Sequence, residues 1–382
     1  MIDVGVHDDA LTFEGALDLE VTPTGVTPRR LPAWTKSQID DPFMDLTVRM
    51  PSGVRLRFAS DASAIELDVM LSLAQFAPGM VLPAVFDLVI DGELVQQCST
   101  STGAVMDLGR DDVEAIPVIP GDVATITFTG LESRAKVVEI WLPQGAVVEL
   151  RALRLNEGAT VQRSVPAAAR RWLHYGSSIS HCMEADAPTG TWPAVVARAT
   201  RCELFNVSFA GQCLLDQFVA RTIRDLDLDL ISLKVGINVV NRDALDARTF
   251  TPALHGFLDT IRDRHHDVPI LVVSPIFCPF AEDRPGPNVM GPEGRYVAID
   301  GPPELRAASL TLRAIRAELD RVVALRRSLG DEHLYYLDGR ELFGEGDCAD
   351  LPDDLHPNAR GYRRMGERFA QRAFGADSPF AD

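Results

Sequence analysis

Two turns in the second half of the chain contain side chains that serine acyl transfer needs. The turn at 176–181 contributes hydroxyl groups, with Ser177 and Ser178 adjacent, and the turn at 353–358 contributes His356 after two aspartates. A serine hydroxyl becomes an effective nucleophile when a neighbouring imidazole takes its proton, and a carboxylate on the far ring nitrogen fixes the tautomer. These residue types predict a serine acyl-transfer site, with two adjacent candidates for both the nucleophile and the carboxylate.

Two further turns contribute hydrogen-bond donors. Residues 209–212 include Gly211, whose backbone N–H no side chain shields, and residues 236–239 include Asn238, whose side chain carries an N–H₂ group. The tetrahedral intermediate of acyl transfer needs two or three such donors, each of which increases the rate by about 10²–10³-fold. The alternative interpretations are a structural glycine and an Asx turn. We expect all four turns at the carboxyl ends of parallel strands, where ligands bind in doubly wound folds.

Motifs of several other enzyme classes are absent from the sequence. Ser208 has Asn206 and Ala210 at the positions where a G-x-S-x-G elbow needs glycine. The chain has no G-x-x-x-x-G-K-[ST] loop, no G-x-G-x-x-G after a strand, no paired-cysteine motif and no H-E-x-x-H. Serine chemistry is therefore the class that the motifs favour.

The four turns resemble the sequence blocks of the SGNH, or GDSL-type, hydrolase superfamily. The family's G-D-S-[LI], glycine, G-x-N and D-x-x-H blocks are similar to residues 176–179, 206–211, 236–238 and 353–356. The resemblance covers about residues 170–375 and has all four blocks in order. It implies a flavodoxin-like parallel sheet with strand order 2-1-3-4-5, and a site without a metal or a cofactor.

The resemblance also implies a role for each matching residue. Ser178 corresponds to the nucleophile, His356 to the base and Asp353 to the carboxylate that orients the base. Ser178, Gly211 and Asn238 correspond to the oxyanion hole.

Two positions depart from the family blocks. Ser177 replaces an aspartate before the nucleophile, and Val239 replaces an aspartate after the oxyanion-hole asparagine. The first departure bears on which serine attacks, and the second on what supports Asn238.

Strand patterns dominate the first 160 residues. Alternating apolar and polar residues predict strands at 43–50, 53–58, 65–71, 123–128, 137–142 and 147–155. Asp91-Gly92 predicts a tight hairpin between two further strands. We therefore predict a jelly-roll-like antiparallel β-sandwich over residues 1–165, and it resembles a carbohydrate-binding module.

Strands and helices alternate in the second predicted domain, residues 166–382. Strand patterns occur at 171–175, 204–207, 230–235, 270–274 and 334–337. Helix patterns occur at 192–199, 214–224, 252–263, 305–329 and 358–374. This alternation predicts a three-layer α/β/α domain.

One long segment follows a buried strand of the predicted sheet. Residues 277–303 contain six prolines and four glycines, and connections of this length are commonly functional or disordered. We expect a lid or wall over the site, with Phe277, Phe280 and Tyr296 as apolar substrate contacts.

The charge balance excludes several classes of partner. The 382 residues include 37 Lys and Arg against 55 Asp and Glu, a net charge of −18, which opposes binding to nucleic acid or to an anionic membrane. No apolar run reaches the roughly 20 residues of a membrane span, and acids stand where a signal peptide has Lys or Arg. We expect a cytoplasmic protein with six free thiols and small-molecule partners, and the oligomeric state stays open.

The acceptor of the acyl group decides between two reactions. Water as acceptor gives an esterase, as in carbohydrate esterases, which have a similar sandwich before the hydrolase domain. A bound alcohol gives an acyltransferase, and the full chain resembles GDSL acyltransferases that tailor tetracycline-type polyketides in antibiotic biosynthesis. That resemblance implies an aromatic acyl group and acyl-CoA as co-substrate. A non-catalytic carbohydrate-binding protein with a degenerate hydrolase fold is the third hypothesis.

Overall fold

The computed structural model describes residues 1–77, 79–109, 116–164, 169–299, 301, 306 and 308–381. The chain forms two compact units, Met1–Ala169 with Asp186–Thr189, and Arg170–Ala185 with Gly190–Asp382. The sequence-based boundary between residues 165 and 166 lies outside the described residues. Among the described helices, none combines the length and the apolar character that crossing a membrane requires.

The first unit consists mainly of two β-sheets. Its strands, in chain order, are β1 (Ile2–Val4), β2 (Thr12–Glu14), β3 (Asp18–Val21), β4 (Val26–Arg29), β5 (Arg55–Ser60), β6 (Ala64–Ala77), β7 (Met80–Val81), β8 (Ala84–Ile90), β9 (Glu93–Thr100), β10 (Ala104–Asp107), β11 (Val118–Ile119), β12 (Ala124–Thr129), β13 (Lys136–Trp141), β14 (Ala146–Leu155) and β15 (Val161–Gln162). Strands β2, β5, β8, β9, β13 and β15 form a six-stranded sheet, and the others form a nine-stranded sheet.

The core of this unit lies between the two sheets. Leu67 of β6, Phe86 of β8 and Ile140 of β13 belong to one cluster of buried apolar residues that draws on both sheets. Each fully buried side chain of this kind contributes about 1.5–3 kcal/mol. The arrangement confirms the predicted sandwich. Among the described strands of this unit, β6 with β10 is the one parallel pair, which alternation along a single strand does not reveal.

The prediction of a strand at 43–50 is wrong, because Pro42–Arg49 forms helix α1. The carboxylate of Asp41 caps the helix by accepting hydrogen bonds from the next two N–H groups, at 2.7 and 3.3 Å. Proline in the first turn adds to this signal, since its missing N–H has no partner there in any case. The helix-start signals of Asp41 and Pro42 thus outweigh the strand-like alternation of the residues that follow.

A five-stranded parallel sheet forms the centre of the second unit. Its strands are β16 (Arg171–Tyr175), β17 (Glu203–Asn206), β18 (Leu230–Lys234), β19 (Ile270–Val273) and β22 (Leu334–Leu337). A separate two-stranded hairpin consists of β20 (Asn288–Met290) and β21 (Tyr296–Ala298). The helices are α2 (Ser178–His181), α3 (Trp192–Thr200), α4 (Gln217–Asp225), α5 (Ile237–Asn241), α6 (Ala247–Arg262), α7 (Leu312–Ser328) and α8 (Ala359–Phe374). The sheet order β17-β16-β18-β19-β22 confirms the expected order 2-1-3-4-5.

Helices cover this sheet in two groups. Helix α3 packs against α8, and α6 packs against α4 and α7. Every residue of β18 and β19 is buried, as expected for parallel strands that are covered on both faces. The second unit is therefore the predicted three-layer α/β/α domain. Helix α7 begins at Leu312, later than predicted, after Thr311 caps it through the Ala314 N–H.

Candidate active site

The serine turn lies at the carboxyl end of β16. The Oγ of Ser177 caps helix α2 by accepting a hydrogen bond from the Ile179 N–H at 3.3 Å, and Ser178 is the first helical residue. Gly176 allows the Ser180 side chain to pack closely against the turn, because a Cβ at residue 176 would lie 2.5 Å from the Ser180 Oγ. The two serines therefore have different partners: the Ser177 hydroxyl caps the helix, and the Ser178 hydroxyl faces His356.

His356 and Asp353 lie on the loop between β22 and α8. The Nε2 of His356 lies 2.9 Å from the Ser178 Oγ, and its Nδ1 lies 2.7 Å from the Asp353 Oδ2. The other carboxylate oxygen of Asp353 accepts hydrogen bonds from the N–H groups of Leu355 and His356, at 2.9 and 2.6 Å. A continuous hydrogen-bonded path therefore joins carboxylate, imidazole and hydroxyl.

The charges around this path favour a protonated imidazole and an ionised carboxylate. Burial alone would lower the pKa of His356, but the Glu184 and Asp353 carboxylates outweigh burial and raise the pKa above its ordinary 6.5. For Asp353, burial would raise the pKa, but hydrogen bonds from His356 and from backbone N–H groups hold the pKa below 3.8. The carboxylate is thus charged while the imidazole can gain and lose a proton.

Three donors close to these elements have no acceptor among the described residues: the N–H groups of Ser178 and Gly211, and the side-chain N–H₂ of Asn238. Gly211 has a φ of 69°, which glycine adopts without strain. Asn238 belongs to α5, just after β18, and its Oδ1 accepts a hydrogen bond from the Cys213 N–H at 3.0 Å. This bond fixes the amide so that its N–H₂ end remains available as a donor.

The residues that compete with or depart from the family blocks have their own partners. Asp354 binds Arg295 at 3.0 Å, whereas the described ion pairs of His356 are with Asp353 and Glu184. Val239 is buried within α5, 1% exposed, where an aspartate would need a hydrogen-bonding partner. The support of Asn238 comes instead from the backbone of Cys213.

A buried polar network beneath the serine turn was not identified from the sequence. The Nδ1 and Nε2 of His174 lie 2.7 Å from the Ser232 Oγ and 2.9 Å from the Ser180 Oγ, and Trp172 donates to Ser232 at 2.9 Å. Burial holds the pKa of His174 well below 6.5, so the ring is neutral. The network ties α2 to two strands. The network could be found from the pairing of His174 with Ser232 between the two parallel strands, but that pairing is visible only once the sheet is known.

The long segment brings two of its three predicted aromatic residues towards the site. The ring of Tyr296 lies 5.7 Å from the His356 ring, at 71°, and the ring of Phe280 stacks on Tyr296 at 6.2 Å. Phe277 donates its N–H to the Phe343 carbonyl and has no ring contact among the described residues. We call Phe280 and Tyr296 the aromatic wall. Residues 300, 302 and 303 of the segment lie outside the described residues.

Two further observations concern metals and thiols. In the described part of the chain, no group of three His, Cys, Asp or Glu side chains is placed to hold a metal ion. All six cysteines are thiols that take no part in disulfide bonds.

Both units are similar to known proteins. Residues 174–364 match the GDSL-like lipase/acylhydrolase family, and residues 11–151 match the SsfX3 N-terminal domain. The salicylyl-acyltransferase SsfX3 from a tetracycline biosynthetic pathway has a TM-score of 0.80 and 29% identity, over 97% of this chain and 95% of that chain. Comparison with curated protein sequences gives no match.

Two more distant structures share the fold alone. A protein from Bacteroides ovatus that is described as a GDSL-like lipase has a TM-score of 0.67 and 17% identity, over 96% of this chain and 95% of that chain. A family two carbohydrate esterase from Clostridium thermocellum has a TM-score of 0.62 and 13% identity, over 95% and 97%. Because the family match spans half of the chain and includes all four turns, the chain belongs to the GDSL-like lipase/acylhydrolase family and is an acyltransferase or ester hydrolase.

Proposed function

We propose that the protein is a serine acyltransferase that moves an aromatic acyl group from a coenzyme A thioester to a hydroxyl of a polyketide natural product. The observation that carries the acyl-transfer chemistry is the path from Asp353 through His356 to Ser178, with contacts of 2.7 and 2.9 Å. The similarity to the salicylyl-acyltransferase SsfX3, which extends over 97% of this chain, supports transfer over hydrolysis. The match of the first unit to the SsfX3 N-terminal domain supports it as well.

The first half of the reaction forms an acyl-enzyme. The Ser178 Oγ attacks the carbonyl carbon of the donor while its proton passes to the Nε2 of His356. The N–H groups of Ser178, Gly211 and Asn238 bind the oxyanion of the tetrahedral intermediate. Collapse breaks the carbon–sulfur bond, and His356 returns the proton to the leaving thiolate.

The second half repeats these steps with the acceptor. The acceptor hydroxyl attacks the acyl-Ser178 ester and gives its proton to His356. The tetrahedral intermediate then expels the Ser178 oxygen, which regains a proton from His356. Water in place of the alcohol gives the free acid, so the competition between the two acceptors decides whether the enzyme is a transferase or an esterase.

The aromatic wall supports an aromatic acyl group. Tyr296 lies beside the imidazole, and Phe280 extends the aromatic surface away from it. Aromatic rings pack favourably in offset-stacked or edge-on arrangements, which contribute about 0.5–1.5 kcal/mol beyond the area they bury. A flat acyl group on Ser178 would gain these contacts, and an acetyl group would not.

Three arginines of α8 are already paired with carboxylates, which disfavours a phosphate site for the donor on this helix. Arg360 binds Asp350 at 2.7 Å, and Arg364 and Arg368 bind Asp347 at 2.9 and 2.6 Å. The net charge of −18 also repels polyphosphates at long range. We therefore expect the acyl thioester end to supply most of the recognition, so that a salicylyl thioester of N-acetylcysteamine has a KM within about threefold of the coenzyme A thioester.

Labelling with a fluorophosphonate tests the nucleophile. We expect peptide mass analysis to place the adduct on Ser178, and Ser177→Ala to label while Ser178→Ala does not. An unlabelled protein with an intact fold would contradict enzymatic acyl transfer and would favour the non-catalytic hypothesis.

Product analysis tests the acceptor. The protein is incubated with salicylyl-CoA, with and without a polyphenolic polyketide acceptor. We expect an aryl ester of the acceptor, and faster release of coenzyme A when the acceptor is present. Release of free acid alone, at a rate that the acceptor does not change, would assign the protein as an esterase.

A further inference from the structure

A second carboxylate lies close to the imidazole of His356. The Oε1 of Glu184 is 3.8 Å from Nδ1, the ring nitrogen that also faces the Asp353 Oδ2 at 2.7 Å. Glu184 comes three residues after α2, so the segment that positions Ser178 also carries this carboxylate. One nitrogen of the base therefore faces two carboxylates from separate parts of the chain.

Glu184 is held in this position by a buried tyrosine. The hydroxyl of Tyr362, on α8, donates a hydrogen bond to the Glu184 Oε2 at 2.9 Å. Burial and the nearby Glu184 raise the pKa of Tyr362 well above 10, so the hydroxyl keeps the proton that it donates. The Glu184 side chain is 37% exposed, so solvent screens part of its charge.

The groups that face His356 come from three parts of the chain, and two of these groups are charged. Asp353 lies on the same loop, Glu184 follows α2, and β21 contributes the uncharged ring of Tyr296. No cationic side chain pairs with His356 among the described residues, so the two carboxylates set its electrostatic environment.

We propose that Glu184 is a positioning residue that, together with Asp353, stabilises the imidazolium form of His356 during acyl transfer. The inference rests on the proposed function, because the imidazolium forms when Ser178 gives its proton to Nε2. In this state the ring carries a full positive charge, and a carboxylate 3.8 Å away attracts it. The hydrogen bond from Tyr362 keeps the carboxylate at that distance through the reaction.

The titration of His356 tests the proposal in Glu184→Gln, which removes the charge and keeps the shape. NMR gives the pKa of His356 directly, with its signals assigned by comparison with His356→Asn. We expect Glu184→Gln to lower this pKa by roughly one unit, since an opposite charge at this distance favours the charged form. The acid limb of kcat/KM should move to lower pH by the same amount, with kcat about tenfold lower and KM unchanged.

Three matched variants complete the experiment. Tyr362→Phe releases Glu184 without removing its charge, so the shift should have the same direction and a smaller size. Glu184→Asp restores a carboxylate and should recover part of the shift. Asp354→Asn removes a charge next to Asp353 that pairs with Arg295, and it should leave the pKa of His356 unchanged.

The outcomes separate this proposal from the proposed function. A pKa of His356 that changes by less than about 0.2 unit in folded Glu184→Gln, with the acid limb in place, would overturn the role of Glu184. If Glu184→Gln lowers the pKa of His356 as expected but fluorophosphonate does not label the unaltered protein, the electrostatic contact would be supported and acyl transfer contradicted. A shift of equal size in Asp354→Asn would count against a specific role for Glu184.

Discussion

Two regions of the second unit face His356, and they are built differently. The serine turn is tied to buried strands by hydrogen bonds among His174, Ser180 and Ser232, all fully buried. The aromatic wall includes Tyr296 from the β20–β21 hairpin, in which Val289, Met290 and Val297 are 45%, 52% and 44% exposed. Acyl chemistry needs fixed distances, and selectivity needs a surface that can vary. We therefore infer that the residues at the carboxyl ends of the parallel strands, here called the sheet edge, determine the reaction, and that the hairpin determines the substrate.

Loss of the nucleophile should have the largest effect. Ser178→Ala removes the proposed nucleophile, so kcat/KM for an activated ester should fall by at least about 10⁴-fold. The measurement is steady-state hydrolysis of a p-nitrophenyl ester, with folding checked by circular dichroism.

Ser177→Ala is the matched control at the sheet edge. It removes the cap of α2 and should lower stability by about 1 kcal/mol while activity stays within about tenfold. A larger loss of activity in Ser177→Ala than in Ser178→Ala would show that the neighbouring serine attacks.

Loss of Asn238, a proposed oxyanion donor, should have the next largest effect. Asn238→Asp keeps the oxygen that accepts the Cys213 N–H but replaces the N–H₂ donor with a carboxylate oxygen. We expect kcat to fall by about 10²–10³-fold with a small change in KM, because the lost bond forms in the transition state. A variant with unchanged kcat would remove Asn238 from the oxyanion hole.

Much of the sheet edge could be predicted from the sequence. Parallel strands are buried on both faces, so they appear as short apolar runs, and their carboxyl ends indicate where Ser178 and Asn238 lie. The order 2-1-3-4-5 followed from the family resemblance, and the structure confirms it. The assignment of catalytic roles to these residues stays a prediction that the variants above test.

The remaining contacts depend on tertiary structure that local patterns do not encode. His174 meets Ser232 because β16 and β18 pair in one particular register. Glu184 meets Tyr362 across a separation of 178 residues. The segment at 277–303 is marked by its prolines and glycines, but its sequence does not show that Tyr296 rather than Phe277 lies beside His356. That placement accompanies a hydrogen bond from the Tyr296 N–H to the Asp353 carbonyl at 2.9 Å.

The pH dependence should reflect the sheet edge. His356, the proposed base, can accept a proton when neutral, and its pKa lies above 6.5 because Glu184 and Asp353 outweigh burial. The value of kcat/KM should therefore rise with pH through a midpoint above 6.5 and fall about tenfold for each unit below it. A midpoint below 6.5 in the free enzyme would contradict the electrostatic description of this site.

Changes in the hairpin should have the smallest effect on chemistry and a selective effect on substrates. Tyr296→Ala removes the ring beside His356, so the KM of a salicylyl ester should rise by about five- to tenfold. An acetyl ester does not reach the aromatic wall and should keep its kcat/KM within about twofold. Val297→Ala is the control, because successive side chains of a strand point to opposite faces and Val297 is exposed. Equal losses for both esters in Tyr296→Ala would mean that the ring positions His356, and the separation between a reaction region and a selectivity region would then fail at this residue.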